Sequence, residues 1–295
     1  MKARKWFAIF LLGLLAPPLA VAHAEEVDKK GEKGVDTEFI FGFTAGADVG
    51  ELGEKELEHQ TITRFGKRDG SYTALSDQLR AEFVPVTNFR FEIGVPVAFH
   101  HIAGVTGLDD RRQAAFDGLF TEFRYRLLDR ERAPFALTIG AEPHWSRVDE
   151  TSGEPVDNYG GEFSIAVDRE LINDRIFGAL NLVYDPEVTR PRVTGLWQRE
   201  ATLGVLASVT TQVQAGTFVG AEARYLRKYD GLGLDTFVGD ALFLGPTMFI
   251  RFSRTFAISG AWGFQVTGHA VDVPGSLDLT NFTRQQALFR LEYNF

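Results

Sequence analysis

Residues 284–295, "RQQALFRLEYNF", keep a strict two-residue period to the end of the sequence. Ala287, Phe289, Leu291, Tyr293 and Phe295 share one face of an extended chain, and Arg290, Glu292 and Asn294 share the other. The last residues of a domain usually fray. A terminal stretch with one apolar and one charged face is instead a strand that has to pair.

The first residues bear on what it pairs with. Lys2, Arg4 and Lys5 precede "WFAIFLLGLLAPPLAVAHA", an apolar run broken by Pro17 and Pro18 and ending in Ala22-His23-Ala24. A basic start, an apolar stretch and a small-x-small site make a secretory signal, residues 1–24, with cleavage expected after Ala24. The unbroken apolar part is shorter than the ~20 residues of a membrane-spanning helix. Removing its three positive charges takes the net charge from −9 to −12. An acidic chain without a basic stripe argues against a nucleic-acid partner. The sequence has no cysteine, so an exported protein of this kind is held together by core packing or by a bilayer.

Between the ends, alternation hardly stops. "NFRFEIGVPVAF" sets Phe89, Phe91, Ile93, Val95, Val97 and Phe99 against Arg90, Glu92 and Gly94. "PFALTIGAEPHW" sets Leu137, Ile139 and Trp145 against Thr138, Glu142 and His144. Such strands suit a soluble barrel or sandwich with its apolar face inward, or a membrane barrel with that face outward. Three features favour the membrane barrel. The runs reach about ten residues, the length of a tilted membrane-crossing strand. Short and long connections alternate along the chain. Aromatic residues (Phe135, Trp145, Tyr225, Trp262, Phe295) gather near the strand ends, as headgroup girdles do.

The expected fold is therefore an all-β, transmembrane, antiparallel up-and-down barrel over residues 54–295. Its strands fall near 54–66, 72–84, 88–101, 116–128, 134–147, 158–169, 175–186, 198–213, 217–229, 240–252, 255–268 and 284–295. These make twelve, with fourteen the alternative. Long outer loops are expected near 102–115, 148–158, 186–197, 228–239 and 268–283. Residues 25–36 read as a disordered linker. "TEFIFGFTAGAD" (37–48) reads as a strand with no wall position left for it, so residues 37–53 are expected in the lumen or at the periplasmic rim.

The terminal aromatic with alternating apolar residues behind it resembles the signature of bacterial outer-membrane proteins. That resemblance implies that Leu291, Tyr293 and Phe295 are read by the outer-membrane insertion machinery. The stretch "FGFTAGADVGELGEKELEHQTITRFGKRDGSYTALSDQLRAEF" (41–83) resembles the start of a family of uncharacterised proteobacterial outer-membrane proteins. More distantly, the chain is similar to barrel proteins grouped with aromatic-compound degradation pathways and described as transporters. These resemblances imply a Gram-negative outer-membrane location, contact with outer-membrane lipid and a porin-like passage for small solutes.

The inward faces carry both charge signs: Glu56, Glu58, Arg80, Glu82, Arg90, Glu92, Glu122, Arg124, Arg126, Glu142, Glu162, Glu222, Arg224, Arg251, Arg290 and Glu292. They read either as a self-solvating ion-pair lattice or as charge rings of a channel. A closed barrel acting through its outer loops is the alternative function. Catalysis needs a histidine beside a nucleophile or a metal-bound water. The histidines past residue 24 are His59, His100, His101, His144 and His269, and His100-His101 with Asp109-Asp110 has no catalytic or metal-ligand spacing. The sequence points to no catalytic, metal or cofactor site.

Overall fold

The strict alternation of residues 284–295 becomes the last strand, which closes against the first. The computed structural model describes residues 35–295, so the expected signal peptide and linker residues 25–34 lie outside the described residues. The ladder segments are β1 (Lys55–Phe65), β2 (Ser71–Val86), β3 (Phe89–Ala103), β4 (Arg111–Phe116), β5 (Gly118–Leu128), β6 (Ala136–Val148) and β7 (Pro155–Ile172). They continue with β8 (Ile176–Pro191), β9 (Gln198–Gln214), β10 (Thr217–Asp230), β11 (Thr236–Arg251), β12 (Phe256–Ala270) and β13 (Gln285–Asn294).

Apart from β4 and β5, each strand pairs antiparallel with its sequence neighbours, and β1 also pairs with β13, from Glu56 opposite Asn294 to Phe65 opposite Gln285. The sheet therefore has no free edge. Segments β4 and β5 lie on the same partner, β3, and form one wall strand broken at Asp117. There Arg147 N–H donates to the Asp117 carbonyl and Val148 N–H to its carboxylate. The wall thus has twelve strands, and the fourteen-stranded alternative is excluded.

The turns at one end are short. Asn88 (φ 66°) and Gly216 (φ 71°) supply the left-handed residues that tight hairpins need. The outer connections are shorter than alternation suggested. They are 66–70, 104–110, 149–154, 192–197, 231–235 and 271–284, because the strands run on beyond the apolar belt. In β8, for instance, Glu187 and Thr189 face inward past Pro186, and pairing continues to Pro191 opposite Val156. Residues 111–115, expected in a loop, pair with β3.

The two faces have opposite chemistry. Outward side chains are apolar and exposed, such as Ile93 (42%) and Ile139 (43%). The inward Thr138 and Glu222 between strands are almost fully buried. Outward rings stack near the strand ends: Phe65 with Trp262 at 5.7 Å toward the outer end, and Tyr293 with Phe295 at 6.2 Å at the short-turn end. An apolar exterior around a polar interior inverts the soluble pattern and marks a transmembrane barrel. One polar patch interrupts the outward belt: His59 lies 2.8 Å from Asp77, and Thr61 donates to Asp77 at 2.7 Å.

Candidate functional site

The inward charges form a lattice in the short-turn half of the lumen. Arg80 reaches Glu92 at 2.8 Å, Glu58 at 3.7 Å and Glu142 at 3.9 Å. Arg90 reaches Glu122 at 2.6 Å, Glu82 at 3.1 Å and Glu92 at 3.8 Å. Arg290 pairs with Glu58 at 3.1 Å and Gln60, and Arg224 with Glu222 at 3.4 Å. Most of these partners sit on the same or adjacent strands, where inward side chains are near enough to pair, and Arg80 reaches farther across the lumen to Glu142 on β6. Glu56 and Glu292 lie at the short-turn end, and Glu292 accepts from Ser259 at 3.5 Å. Arg251 is at the rim, bonded to Asp36 at 3.1 Å. Arg126 also lies at that end, bonded to Asn88 and Asp48. Glu162 faces the open part of the lumen described below.

Residues 35–50 fold into this lattice. They form a series of turns and not the strand that their alternation suggests. Both ends of the segment meet: Thr37 N–H donates to Asp48 at 2.9 Å and Gly46 N–H to the Glu38 carbonyl at 3.1 Å. Its polar groups are answered by inward wall residues. Asp168 accepts from the Thr37 hydroxyl at 2.5 Å and Ala47 N–H at 2.7 Å. Glu222 accepts from Phe43 N–H, Thr44 N–H and the Thr44 hydroxyl. Asn181 accepts from Ala45 N–H at 2.6 Å and donates to the Ala45 carbonyl at 2.9 Å. Thr138 donates to the Ala47 carbonyl at 2.5 Å, and Arg124 to that of Gly46. Glu38 pairs with Arg90, and Asp48 with Arg126 and Arg130.

The apolar residues of the segment have partners as well. Phe39, Ile40 and Phe41 join Phe177, Phe218 and Phe249 in one buried cluster. The guanidinium of Arg290 lies 4.4 Å over the Phe39 ring, and that of Arg224 3.6 Å over Phe43. Val35 and Asp36, expected in the disordered linker, bond to Arg130 and Arg251.

Above the segment lies a cavity of about 680 Å³. Phe43 and Ala45 form its floor, and it reaches up to Glu150-Thr151 and Thr280-Phe282 near the outer end. Glu56, Glu82, Glu292 and Arg251, below the segment, do not line it. The connection 271–284, expected as a free outer loop, folds back inside. Lys67 donates to the carbonyls of Thr280 (3.1 Å) and Phe282 (3.0 Å), and Gln265 to those of Asp278 and Thr283. Phe282 then packs edge-on against Phe243. Burial holds the Lys67 ammonium, in the turn between β1 and β2, down to about 8.

Among the described residues, the histidines are scattered over the wall. His100 points inward beside the Glu150 carbonyl at 3.0 Å, whereas His101 points outward. Asp110 accepts from Gly104 N–H and is not directed at either ring. His144 instead approaches Glu187 at 3.3 Å, with Asp185 close by. Sequence reading missed this grouping, and it missed Asp168 and Asn181 as anchors of the 35–50 segment. The available signal was parity alone, since all of these lie on inward faces.

Among solved structures, the COG4313 outer membrane channel from Pseudomonas putida F1 matches with a TM-score of 0.55 at 12% sequence identity. The match covers 84% of this chain and 98% of that one. The NanC porin matches with a TM-score of 0.48 at 10% identity, over 81% of this chain and 98% of its own. The KdgM porin in complex with disordered oligogalacturonate matches with a TM-score of 0.45 at 10% identity, over 81% and 99%. At such identities the first likeness is one of fold, that of an outer-membrane β-barrel. No curated protein matches the chain. The family match spans nearly all of the sequence: from residue 33 to residue 295 the chain belongs to the family of unknown function DUF6662.

Proposed function

We propose that this protein is a porin-like outer-membrane channel for small polar solutes, gated by its 35–50 segment. One observation carries the reading. The floor of the aqueous vestibule is made by a segment outside the wall, whose removal breaks no ladder hydrogen bond. The wall itself is rigid, because every strand except the short β4 segment is paired on both sides. The lining carries both signs, with Arg80 and Arg224 as well as Glu142 and Glu162, which suits polar or zwitterionic solutes over strongly charged ones. The fold likeness to an outer membrane channel supports the same reading.

The outward-facing C-terminal residues complete the proposal. Tyr293 (52%) and Phe295 (70%) are exposed, and Phe295 N–H donates to the Lys55 carbonyl at 3.1 Å beside the closing seam. There Leu291, Tyr293 and Phe295 present the apolar edge that insertion machinery would read, and the belt above them would meet outer-membrane lipid. The alternative, a closed barrel acting through its outer loops, has less support. Five of the six outer connections span no more than seven residues, and the sixth is folded inside. Uptake of small sugars and amino acids into proteoliposomes tests the proposal. Removing residues 25–50 should speed uptake, and no uptake by either form would leave the closed barrel standing.

A further inference from the structure

His144 on β6 and Asp185 and Glu187 on β8 all face the vestibule, with β7 between them. One imidazole nitrogen and one oxygen from each carboxylate lie within 4.8 Å of one another. The wall is shaped to allow this. Gly160 of β7 sits under the contact, where a Cβ would overlap His144 Nε2 and come within 3.1 Å of Glu187 Cγ. The glycine lets the imidazole cross a whole strand to reach β8. Asn158, also on β7, donates to Glu187 at 3.2 Å and fixes that carboxylate.

Two observations go beyond a simple His–Glu ion pair. Asp185 Oδ1 is out of contact with solvent and accepts no hydrogen bond, which is costly for a carboxylate oxygen. The surroundings are also short of cations. Lys228, the lysine on this side, is taken by Glu200 at 2.8 Å. A protonated His144 would satisfy Glu187 and leave Asp185 without a partner.

We propose that His144, Asp185 and Glu187 form a divalent-cation site in the vestibule wall. One imidazole and two carboxylates make a three-ligand set with the remaining positions open to water. The imidazole favours zinc and similar transition ions over magnesium or calcium, which prefer all-oxygen sites. Asn158, bonded to Glu187, is the orienting partner such a site needs. The site rests on the vestibule being aqueous, but equilibrium binding requires no conduction, so binding and passage can fail separately.

The test is a calorimetric titration of zinc chloride into the purified full-length protein, folded in detergent and freed of metal by a chelator. One zinc should bind per barrel, with magnesium giving no comparable heat. His144→Ala and Asp185→Asn should each weaken binding by about tenfold or more, and Gln286→Ala, on the opposite wall of the vestibule, should leave it nearly unchanged. Heat-modifiable gel migration identifies folded protein, and if His144→Ala does not fold, Asp185→Asn decides the matter. No zinc binding by the wild type, or equal affinity in wild type and Asp185→Asn, would overturn the proposal.

Discussion

Gly42 is where the proposed gate presses against the barrel wall. Its φ is +84°, and a Cβ there would stand 2.7 Å from Thr247 Cγ2 and 2.8 Å from Ala261 Cβ. Those atoms belong to β11 and β12, which are held by ladder bonds and cannot retreat. Gly42→Val therefore meets two costs in the docked state. A left-handed β-branched residue costs about 1–2 kcal/mol, and overpacking costs about 1–3 kcal/mol. A net loss of about 3 kcal/mol shifts the docked-to-released ratio by about a hundredfold. Released chain exposes Phe39, Phe41 and Phe43, so chymotrypsin should cut the variant there and spare the wild type. Open-channel time in planar bilayers should rise in parallel, while the melting temperature of the barrel stays within a few degrees of wild type. Cleavage without added current would mean that the segment is not the barrier. Persistent protection would refute the packing argument itself.

Other expectations follow from the same geometry. Ile139→Arg should cost about 2–4 kcal/mol of folding stability in denaturant titrations, since an outward charge at mid-belt is exposed to hydrocarbon. Thr202→Arg, lining the vestibule, should cost far less, whereas Thr138→Arg should be damaging because that side chain is 1% exposed and bonded to Ala47. Replacing both His59 and Asp77 by Leu should leave stability equal or higher, as a polar pair in an apolar setting gives little over a hydrophobic pair; a loss beyond about 1 kcal/mol would mean that the patch is covered by a polar partner. Deleting Phe295 should lower the folded fraction in outer-membrane preparations, and unchanged assembly would remove it as a signal. The folded protein holds Lys67 at about 8 against an ordinary 10.5, so the unfolded chain binds more protons between those values. Stability should therefore rise from pH 8 to about 10.5 and be insensitive to this group below pH 8, a rise that Lys67→Met abolishes.

Alternation made the wall legible because bilayer and lumen impose opposite chemistry on successive residues. Ile139 and Thr138 could be assigned to opposite faces without coordinates. The signal faded where that contrast fades. Above the belt both faces are wet, so "PEVTRP" at the end of β8 and "RRQAA" in β4 read as loop although their backbones pair. The break at Asp117 was equally hidden, since its cause is the fit to Arg147 and Val148 on the next strand.

The interior was legible as charge but not as contact. Phe39, Phe41 and Phe43 alternate like a strand, yet each meets a different partner from a distant part of the chain. Asp168 and Asn181 are unremarkable in sequence, and become anchors only because the barrel brings them to the segment from more than a hundred residues away. His144 and Glu187 are 43 residues apart and two strands apart, a relation that no local spacing encodes.

The central claim is that the 35–50 segment is what closes an otherwise continuous lumen. Single-channel recording of the intact protein and of the form lacking residues 25–50, in the same planar bilayer and salt, tests it most directly. The account predicts small or rare openings for the intact protein and a steady, larger conductance after the deletion. Silent traces from a folded deletion variant would contradict it.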